Sequence, residues 1–333
     1  MNASLEARLY LRAGHLLHTV ARWAGGAAAE SEMREWVEFA AVWLILKVVG
    51  GLPRAVARGL AAAIARLLLV LRPKLKKTAE FNLRLAFPDW GDAQRKEVMG
   101  KMVRELGWMA AEFARFPKLT KDNIGQVVIL DGHENFLEAQ RRGKGVIYLT
   151  GHIGAWELSS FAHALYGYPL HYMARPLDNR RLDQLVNRYR GASGNQPIFK
   201  NESARVMLKV LKDAGTVGIL ADQNTMPEEG VFVDFFGKAA CATTGIARVA
   251  LHTGAAVVPG YAVWDETIGK YRLRFEPAVE LVRTGDADRD IFENTQRFAK
   301  VIEEIICKHP EQWVWLHARW KTRPAGESPL YDF

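Results

Sequence analysis

The stretch Gly145-Val-Ile-Tyr-Leu-Thr-Gly-His152-Ile-Gly-Ala-Trp-Glu157 decides the fold. The residues from Val146 to Thr150 are apolar or β-branched, which predicts a buried strand, and the glycines around His152 predict a turn. The residues after Gly154 predict a helix. A strand, a turn and a helix in this order form the repeating unit of α/β domains, which place functional groups at the carboxyl ends of their strands. We therefore expect His152 at a strand end.

The spacing between His152 and Glu157 limits how the two side chains can meet. On one helix they would lie about 140° apart around the axis, too far for a hydrogen bond. We therefore expect His152 in the turn and Glu157 in the first turns of the helix, where the side chains converge. A carboxylate on one ring nitrogen fixes the imidazole tautomer, and the other nitrogen can remove a proton from a hydroxyl. A His and a Glu that only cap the helix would show the same spacing.

The composition limits the class of protein. The chain has 333 residues, of which 49% are hydrophobic and 25% are charged, as expected of a folded enzyme. Its formal net charge of +8 indicates an acidic partner, which is nucleic acid, anionic lipid, a phosphorylated substrate or an acidic carrier protein. Cys241 and Cys307 are too few for a disulfide framework or a four-cysteine zinc site, and they indicate a reducing compartment.

Two apolar stretches near the N-terminus, Val37–Val49 and Ala55–Leu71, predict a pair of helices. The turn signal Gly50-Gly-Leu-Pro53 separates them. Basic residues interrupt both stretches, so neither reaches the roughly 20 apolar residues of a spanning helix. Flanking tryptophans and basic residues are typical of helices at an anionic membrane surface, and a pair of core helices is the alternative. We expect a membrane-associating region at 36–76, after a partly disordered extension at 1–35.

Short β-rich segments alternate with helical ones after Lys121, which predicts an α/β domain at 77–333. The predicted strands are Val127–Leu130, Val146–Thr150, Val217–Ala221, Ala256–Trp264 and Tyr271–Phe275. The predicted helices are Asp92–Phe116, a segment after Gly154, Arg181–Arg190, Ala204–Asp213, Thr244–His252 and an amphipathic segment around Phe298–Ile306. The predicted fold class is therefore α/β.

Asp222 and Gln223 directly follow the predicted strand Val217–Ala221. If this strand runs parallel to the one before His152, both strand ends lie at the same edge of the sheet. A turn or helix-capping carboxylate is the alternative for Asp222.

Six motifs in the chain resemble those of one protein family. They are Glu80–Pro88, Thr150–Glu157, Arg175–Asn179, Ala221–Asn224, Val233–Gly237 and His309–Lys321. In this order they resemble the bacterial lipid A late acyltransferases, the lauroyl and myristoyl transferases, within the glycerolipid acyltransferase superfamily. The resemblance extends from about Lys77 to Arg323. It implies a mixed central sheet flanked by helices and an enzyme that transfers an acyl group to a hydroxyl.

The resemblance also implies roles for individual residues. His152 is the expected general base and Glu157 the carboxylate that orients it, with no covalent acyl-enzyme. Arg190 is expected to contact a phosphate or to help hold the oxyanion. The expected substrate-binding residues are Arg175, Arg190, Asp222, Gln223 and Arg319. The candidates for the acyl pocket are Phe232, Phe235 and Phe236, for which core packing is the alternative.

The family's partners follow from the same resemblance. It implies an acyl carrier protein as donor, a lipid A precursor or related glycolipid as acceptor, and no metal or organic cofactor. It also implies a place at the cytoplasmic face of the inner membrane, either peripheral or held by a single N-terminal anchor. A lysophospholipid or another glycolipid acceptor would require the same His152 and Glu157.

The main alternative to the transferase is a protein of another class, a non-catalytic basic protein that binds membrane lipid. Nucleic acid is not an expected partner, because the basic residues are dispersed along the chain. Dinucleotide binding is excluded because Gly143-Lys-Gly145 precedes its strand, whereas a phosphate-binding glycine loop follows one.

Overall fold

The computed structural model describes residues 27–199 and 203–333. In this part of the chain four helices come first: α1 (Ala27–Gly51), α2 (Arg54–Leu71), α3 (Pro73–Ala86) and α4 (Asp92–Ala114). Pro53 occupies the N-cap of α2, where its fixed φ and missing N–H are tolerated. The predicted helix pair and the turn between its members agree with the structure.

Two predicted domain boundaries fall within helices. Helix α1 begins at Ala27, so residues 27–35 of the predicted extension are helical. Residues 1–26 of that prediction lie outside the described residues. Helix α3 runs across the predicted boundary between 76 and 77. None of the helices in the described ranges combines the length and the apolar character that crossing a membrane requires.

Strands and helices alternate in the rest of the chain. The strands are β1 (Val128–Asp131), β2 (Val146–Thr150), β3 (His171–Ala174), β4 (Gln196–Phe199), β5 (Thr216–Leu220), β6 (Gly230–Phe235), β7 (Lys238–Thr243), β8 (Ala256–Asp265) and β9 (Lys270–Phe275). The helices are α5 (His133–Arg141), α6 (Trp156–Leu165), α7 (Arg180–Gly191), α8 (Ser203–Lys212), α9 (Gly245–Thr253) and α10 (Ala287–Lys308).

Seven strands in the described part of the chain form one mixed sheet, in the order β1-β9-β8-β2-β5-β3-β4. Neighbouring strands are parallel, except that β8 and β9 are antiparallel. Strands β6 and β7 form a separate antiparallel hairpin. This architecture confirms the predicted α/β fold with a mixed central sheet flanked by helices.

Hydrophobic side chains cover both faces of the central strand β2. Ile147 and Leu149 lie in one buried cluster with side chains of α4, α9 and α10. Val146 and Tyr148 lie in another cluster with side chains of α5 and α6. Successive side chains of a strand point to opposite faces, so a strand covered on both sides has a continuous apolar sequence. This packing anchors the end of β2, where the site begins.

Candidate active site

The loops after β2 and β5 carry the candidate catalytic residues. The two strands are parallel neighbours, so His152 and Asp222 follow them at the same edge of the sheet, as expected. The N–H of Ala221 donates to the carbonyl of Thr150 at 2.9 Å and extends the strand pairing toward the loops. Gly151 favours the close approach of the loops, because a Cβ at this position would lie in tight contact, 3.0 Å from Cγ of Asp222.

His152 and Asp222 form a hydrogen-bonded pair. Nδ1 of His152 lies 2.9 Å from Oδ1 of Asp222, and the backbone N–H of His152 donates to Oδ2 at 2.7 Å. The indole N–H of Trp313 donates to the same oxygen at 2.7 Å. Asp222 is buried, whereas His152 is partly exposed. The buried carboxylate fixes the imidazole with its proton on Nδ1, so that Nε2 carries the lone pair and is the proton acceptor of the ring.

The pairing shifts the pKa values of both groups. Burial alone would raise the pKa of Asp222, but the charge and the hydrogen bonds of His152 outweigh this effect and lower it to about 2. Burial alone would lower the pKa of His152, but the Asp222 carboxylate outweighs it and raises the pKa above its ordinary value. Asp222 therefore remains ionised, and His152 is a stronger base than a free imidazole.

Glu157 does not make the predicted contact with His152. It lies in the first turn of α6 and accepts two hydrogen bonds from Arg190 of α7, at 2.8 Å from Nε and 2.5 Å from Nη2. This bidentate geometry occupies both carboxylate oxygens. The imidazole is oriented by Asp222 instead, because the parallel pairing of β2 and β5 brings that carboxylate directly behind the ring. The expected orienting role of Glu157 is corrected accordingly.

A small pocket of about 70 Å³ lies beside the Glu157–Arg190 pair. Trp156 and Tyr172 also line it. The ring centroid of Trp156 is 5.1 Å from that of His152, so the pocket adjoins the imidazole. Nη1 of Arg190 has no hydrogen-bond partner among the described residues and is left as a donor for an anionic group.

Gln223 lies on the open side of the imidazole. Its amide N–H donates to Nε2 of His152 at 3.3 Å, and its side chain is exposed. A hydroxyl that gives its proton to His152 has to approach the same ring nitrogen. Such a hydroxyl therefore has to displace the exposed amide of Gln223 from this nitrogen.

The C-terminal segment 313–322 holds both loops in place. The N–H of Val314 donates to the carbonyl of His152 at 3.1 Å. Asn224 exchanges two hydrogen bonds with Thr322, at 2.9 and 3.0 Å. The backbone N–H of Asn224 donates to Nε2 of His317 at 3.0 Å, so the proton of this imidazole is on Nδ1. Burial lowers the pKa of His317, which keeps the ring neutral beside the His152–Asp222 pair.

Comparison with known proteins identifies the family. The family description "Bacterial lipid A biosynthesis acyltransferase" matches residues 26–322. This chain belongs to that family. The prediction of an O-acyltransferase is thereby confirmed.

Similar proteins support the same assignment. The lipid A biosynthesis lauroyltransferase of Escherichia coli (strain K12) is 29% identical over 312 residues, which cover 89% of this chain and 94% of that protein. The lipid A biosynthesis palmitoleoyltransferase of the same organism is 29% identical over 264 residues, with 78% and 84% covered. A lipid A biosynthesis acyltransferase of Haemophilus influenzae is 26% identical over 259 residues, with 78% and 79% covered.

Two arginines expected to bind substrate in this acyltransferase lie in different environments. Arg175 is exposed directly after β3. Arg319 is 1% exposed, donates to the carbonyl of Cys241, and lies 5.1 Å from the ring centroid of Phe235. Burial lowers the pKa of Arg319 to about 10. Arg319 is thus a buried cation in contact with the β6–β7 hairpin, whereas Arg175 is open to solvent.

The phenylalanines predicted to line an acyl pocket pack against other side chains of this acyltransferase. Phe235 is buried, and its ring centroid is 5.9 Å from Trp313 and 5.8 Å from Trp320. Phe236 packs edge-on against Phe87 at 5.5 Å. Phe232 is partly buried on β6. The contacts of Phe235 and Phe236 agree with the alternative of core packing.

Two residues of the site were not predicted from the sequence to contact the catalytic pair. Trp313 binds the Asp222 carboxylate, and His317 binds the loop after β5. The dense cluster of Trp, His and Arg in His309–Lys321 is the signal that points to this segment. Among the described residues, no group of three or more His, Cys, Asp and Glu side chains could hold a metal ion.

Proposed function

We propose that this acyltransferase moves a fatty acyl chain from an acyl carrier protein thioester to a hydroxyl of a lipid A precursor. His152 is the general base, and no covalent acyl-enzyme forms. The observation that carries the proposal is the His152–Asp222 pair at the end of β2, with Nε2 of His152 directed toward the exposed side chain of Gln223. Membership of the lipid A biosynthesis acyltransferase family supports the choice of acceptor.

The reaction proceeds by direct attack of the acceptor hydroxyl. Nε2 of neutral His152 removes the hydroxyl proton while the oxygen bonds to the thioester carbonyl carbon, and the carbonyl electrons move to its oxygen. The tetrahedral intermediate then collapses, the carbon–sulfur bond breaks, and the thiolate takes the proton from the imidazolium. Asp222 stabilises the imidazolium in both steps, which revises the predicted His152–Glu157 mechanism to a His152–Asp222 mechanism.

Glu157 and Arg190 act together on the anionic groups of the reaction. Glu157 fixes the guanidinium through two hydrogen bonds, and Arg190 keeps Nη1 available. A fixed cation beside the base can stabilise the thioester oxyanion or bind a phosphate of the acceptor. In this proposal Glu157 is a positioning residue that acts through Arg190.

The acyl donor is proposed from the resemblance and from charge. The chain has a formal net charge of +8, which favours encounters with an acidic carrier protein. Anionic lipid would be attracted in the same way, so the donor is tested directly in the experiment below.

An apolar surface of α1 and α2 supports attachment to the cytoplasmic face of the inner membrane. Its exposed side chains include Trp36, Val37, Trp43, Leu44, Ile45, Val48, Val56, Leu60, Leu67, Leu68, Val70 and Leu71. Exposed basic residues follow at once: Arg72, Lys74, Lys76 and Lys77. Large exposed apolar patches mark interaction sites, and an adjacent basic cluster suits anionic headgroups. We propose a peripheral position for these helices at that surface.

The proposal is tested by acyl transfer from labelled acyl carrier protein to a lipid A precursor and, in parallel, to lysophospholipids. The wild type is compared with His152→Ala and with His252→Ala, an exposed histidine near the end of α9. We expect transfer to the lipid A precursor, a loss of at least about 100-fold in His152→Ala, and no change in the control. Transfer to lysophospholipid alone would show that lysophospholipid is the acceptor and the lipid A precursor is not. An active His152→Ala variant would overturn the mechanism.

A further inference from the structure

A large apolar cavity lies between α1, α2 and α4. Its volume is about 570 Å³, within the range of roughly 300 to 1,000 Å³ that is usual for small-molecule sites. The described residues that line it are aliphatic, alanine or glycine, apart from Arg72. Phe232, Phe235 and Phe236 are not among them. The chemistry of this lining suits a hydrocarbon.

Close contacts between helices fix the positions of the cavity walls. A Cβ on Gly107 of α4 would overlap the backbone of Ala62 in α2, and a Cβ on Gly50 of α1 would overlap the carbonyl of Ala114 in α4. Beyond these contacts, small side chains such as Ala65 leave the space open. An empty apolar cavity destabilises a protein, whereas an apolar molecule can fill it. This cavity therefore has the properties of a binding site.

One short segment links the cavity with the catalytic loops, which are the loops after β2 and β5. Leu316 lines the cavity, and the next residue, His317, binds the backbone of Asn224. Trp313 of the same segment binds Asp222. One side of this segment therefore contacts the cavity while the other contacts the catalytic loops.

The cavity also opens onto the exposed apolar surface. Ile45, Leu68 and Leu75 line it and are 49%, 55% and 40% exposed. A hydrocarbon can therefore lie along the cavity with one end near the catalytic loops and the other near the apolar surface.

We propose that this cavity binds the hydrocarbon chain of the acyl donor, with the carbonyl end toward His317 and His152. The inference rests on the proposed function, because that function requires a thioester carbonyl beside His152. The donor carries a single linear hydrocarbon chain, which matches a lining with few polar groups. The sugar of a glycolipid acceptor would lose its hydrogen bonds with water in such a cavity.

The chain-length preference of the enzyme tests the proposal. Ala65→Trp fills part of the cavity, and Ala65→Leu is a milder variant in case the first does not fold. Ala63→Trp is the matched control, since Ala63 is on the same helix, is exposed and does not line the cavity. Each methylene that loses its buried position weakens binding by about fourfold. We expect the kcat/KM ratio of long to short donors to fall by about tenfold or more in the Ala65 variants and to stay constant in Ala63→Trp.

A binding measurement separates this proposal from the proposed function. A fluorescent fatty acid is titrated into His152→Ala and into His152→Ala with Ala65→Trp, neither of which needs to turn over. We expect one molecule bound by the first protein and binding at least about tenfold weaker in the second. Equal binding by the two proteins would overturn the cavity assignment, and a changed KM for the acceptor with unchanged donor preference would assign the cavity to the acceptor. An inactive wild type that still shows the expected binding difference would reject the proposed function alone.

Discussion

The catalytic loops and the N-terminal helices differ in how their side chains interact with the rest of the chain. The carboxylates of the site have hydrogen-bond partners within the chain, whereas the helices expose apolar side chains to solvent. Asp222 accepts hydrogen bonds from His152 and Trp313, and both oxygens of Glu157 are bound by Arg190. On α1 and α2, by contrast, large apolar side chains are exposed, and Val70 is 73% exposed. The catalytic loops are thus fixed by internal contacts, whereas the helices present a surface suited to an external apolar partner.

The largest effect is expected at the base itself. His152→Ala removes the group that accepts the hydroxyl proton, so kcat should fall by about 10²- to 10⁴-fold, as measured by single-turnover acyl transfer. The melting temperature should also fall, because Asp222 is buried and loses its imidazole partner, so circular dichroism is needed to confirm that the variant is folded. A variant that retains most of the wild-type kcat would contradict the catalytic role of these loops. Their internal hydrogen bonds would then serve the structure only.

Asp222→Asn is expected to have the next largest effect. Asparagine can present its amide nitrogen to Nδ1 and thereby favour the wrong tautomer, so we expect a loss of up to about 10⁴-fold in kcat. The same substitution also removes the charge that stabilises the imidazolium. Circular dichroism and the melting temperature serve as folding controls, and a fully folded variant with wild-type kcat would contradict the orienting role.

Glu157→Gln should reduce kcat by less. It breaks the bidentate pair and frees the guanidinium of Arg190, which we expect to lower kcat by about 10- to 100-fold while His152 keeps its contact with Asp222. Glu138→Gln is the matched control, because Glu138 pairs with Arg142 on the surface and such pairs contribute little. A loss as large as that of His152→Ala would assign a direct role to Glu157.

The smallest effect on chemistry is expected from the helices. Val70→Asp places a charge on the proposed membrane face and should weaken association with anionic lipid vesicles by at least about tenfold in a sedimentation assay. The rate with a detergent-dispersed acceptor should remain close to that of the wild type. Phe292→Asp, an exposed apolar position on α10, is the control, and equal weakening by both variants would remove the distinction between this face and the rest of the surface.

The strands that surround the site are predictable because their sequences are apolar throughout. β2 is predicted with its observed bounds, and β5 and β8 within one residue, since their burial is continuous. Strands β3 and β4 are not predicted, because they have four residues each and are mostly not buried. Their sequences therefore show neither a continuous apolar run nor an alternation of apolar and polar residues.

The partners within the site are less predictable than its position. The sequence indicates His152, Glu157, Arg190 and Asp222, and the structure brings all of them to one edge of the sheet. The prediction that Glu157 contacts the imidazole is wrong, because Asp222 makes this contact. This contact depends on the parallel pairing of β2 with β5, which joins residues 70 positions apart, whereas spacing within one segment reports only local geometry.

The pH dependence of kcat/KM tests the central claim most directly. The Asp222 carboxylate raises the pKa of His152, and the base must be neutral, so the acidic limb of the wild-type profile should lie above the ordinary histidine pKa of about 6.5. Removing the charge in Asp222→Asn should move this limb to lower pH. Glu157→Gln should move it less, because the effect of Glu157 on the pKa of His152 is smaller. A limb that shifts in Glu157→Gln but not in Asp222→Asn would contradict the account, and it would restore Glu157 as the carboxylate that controls the base.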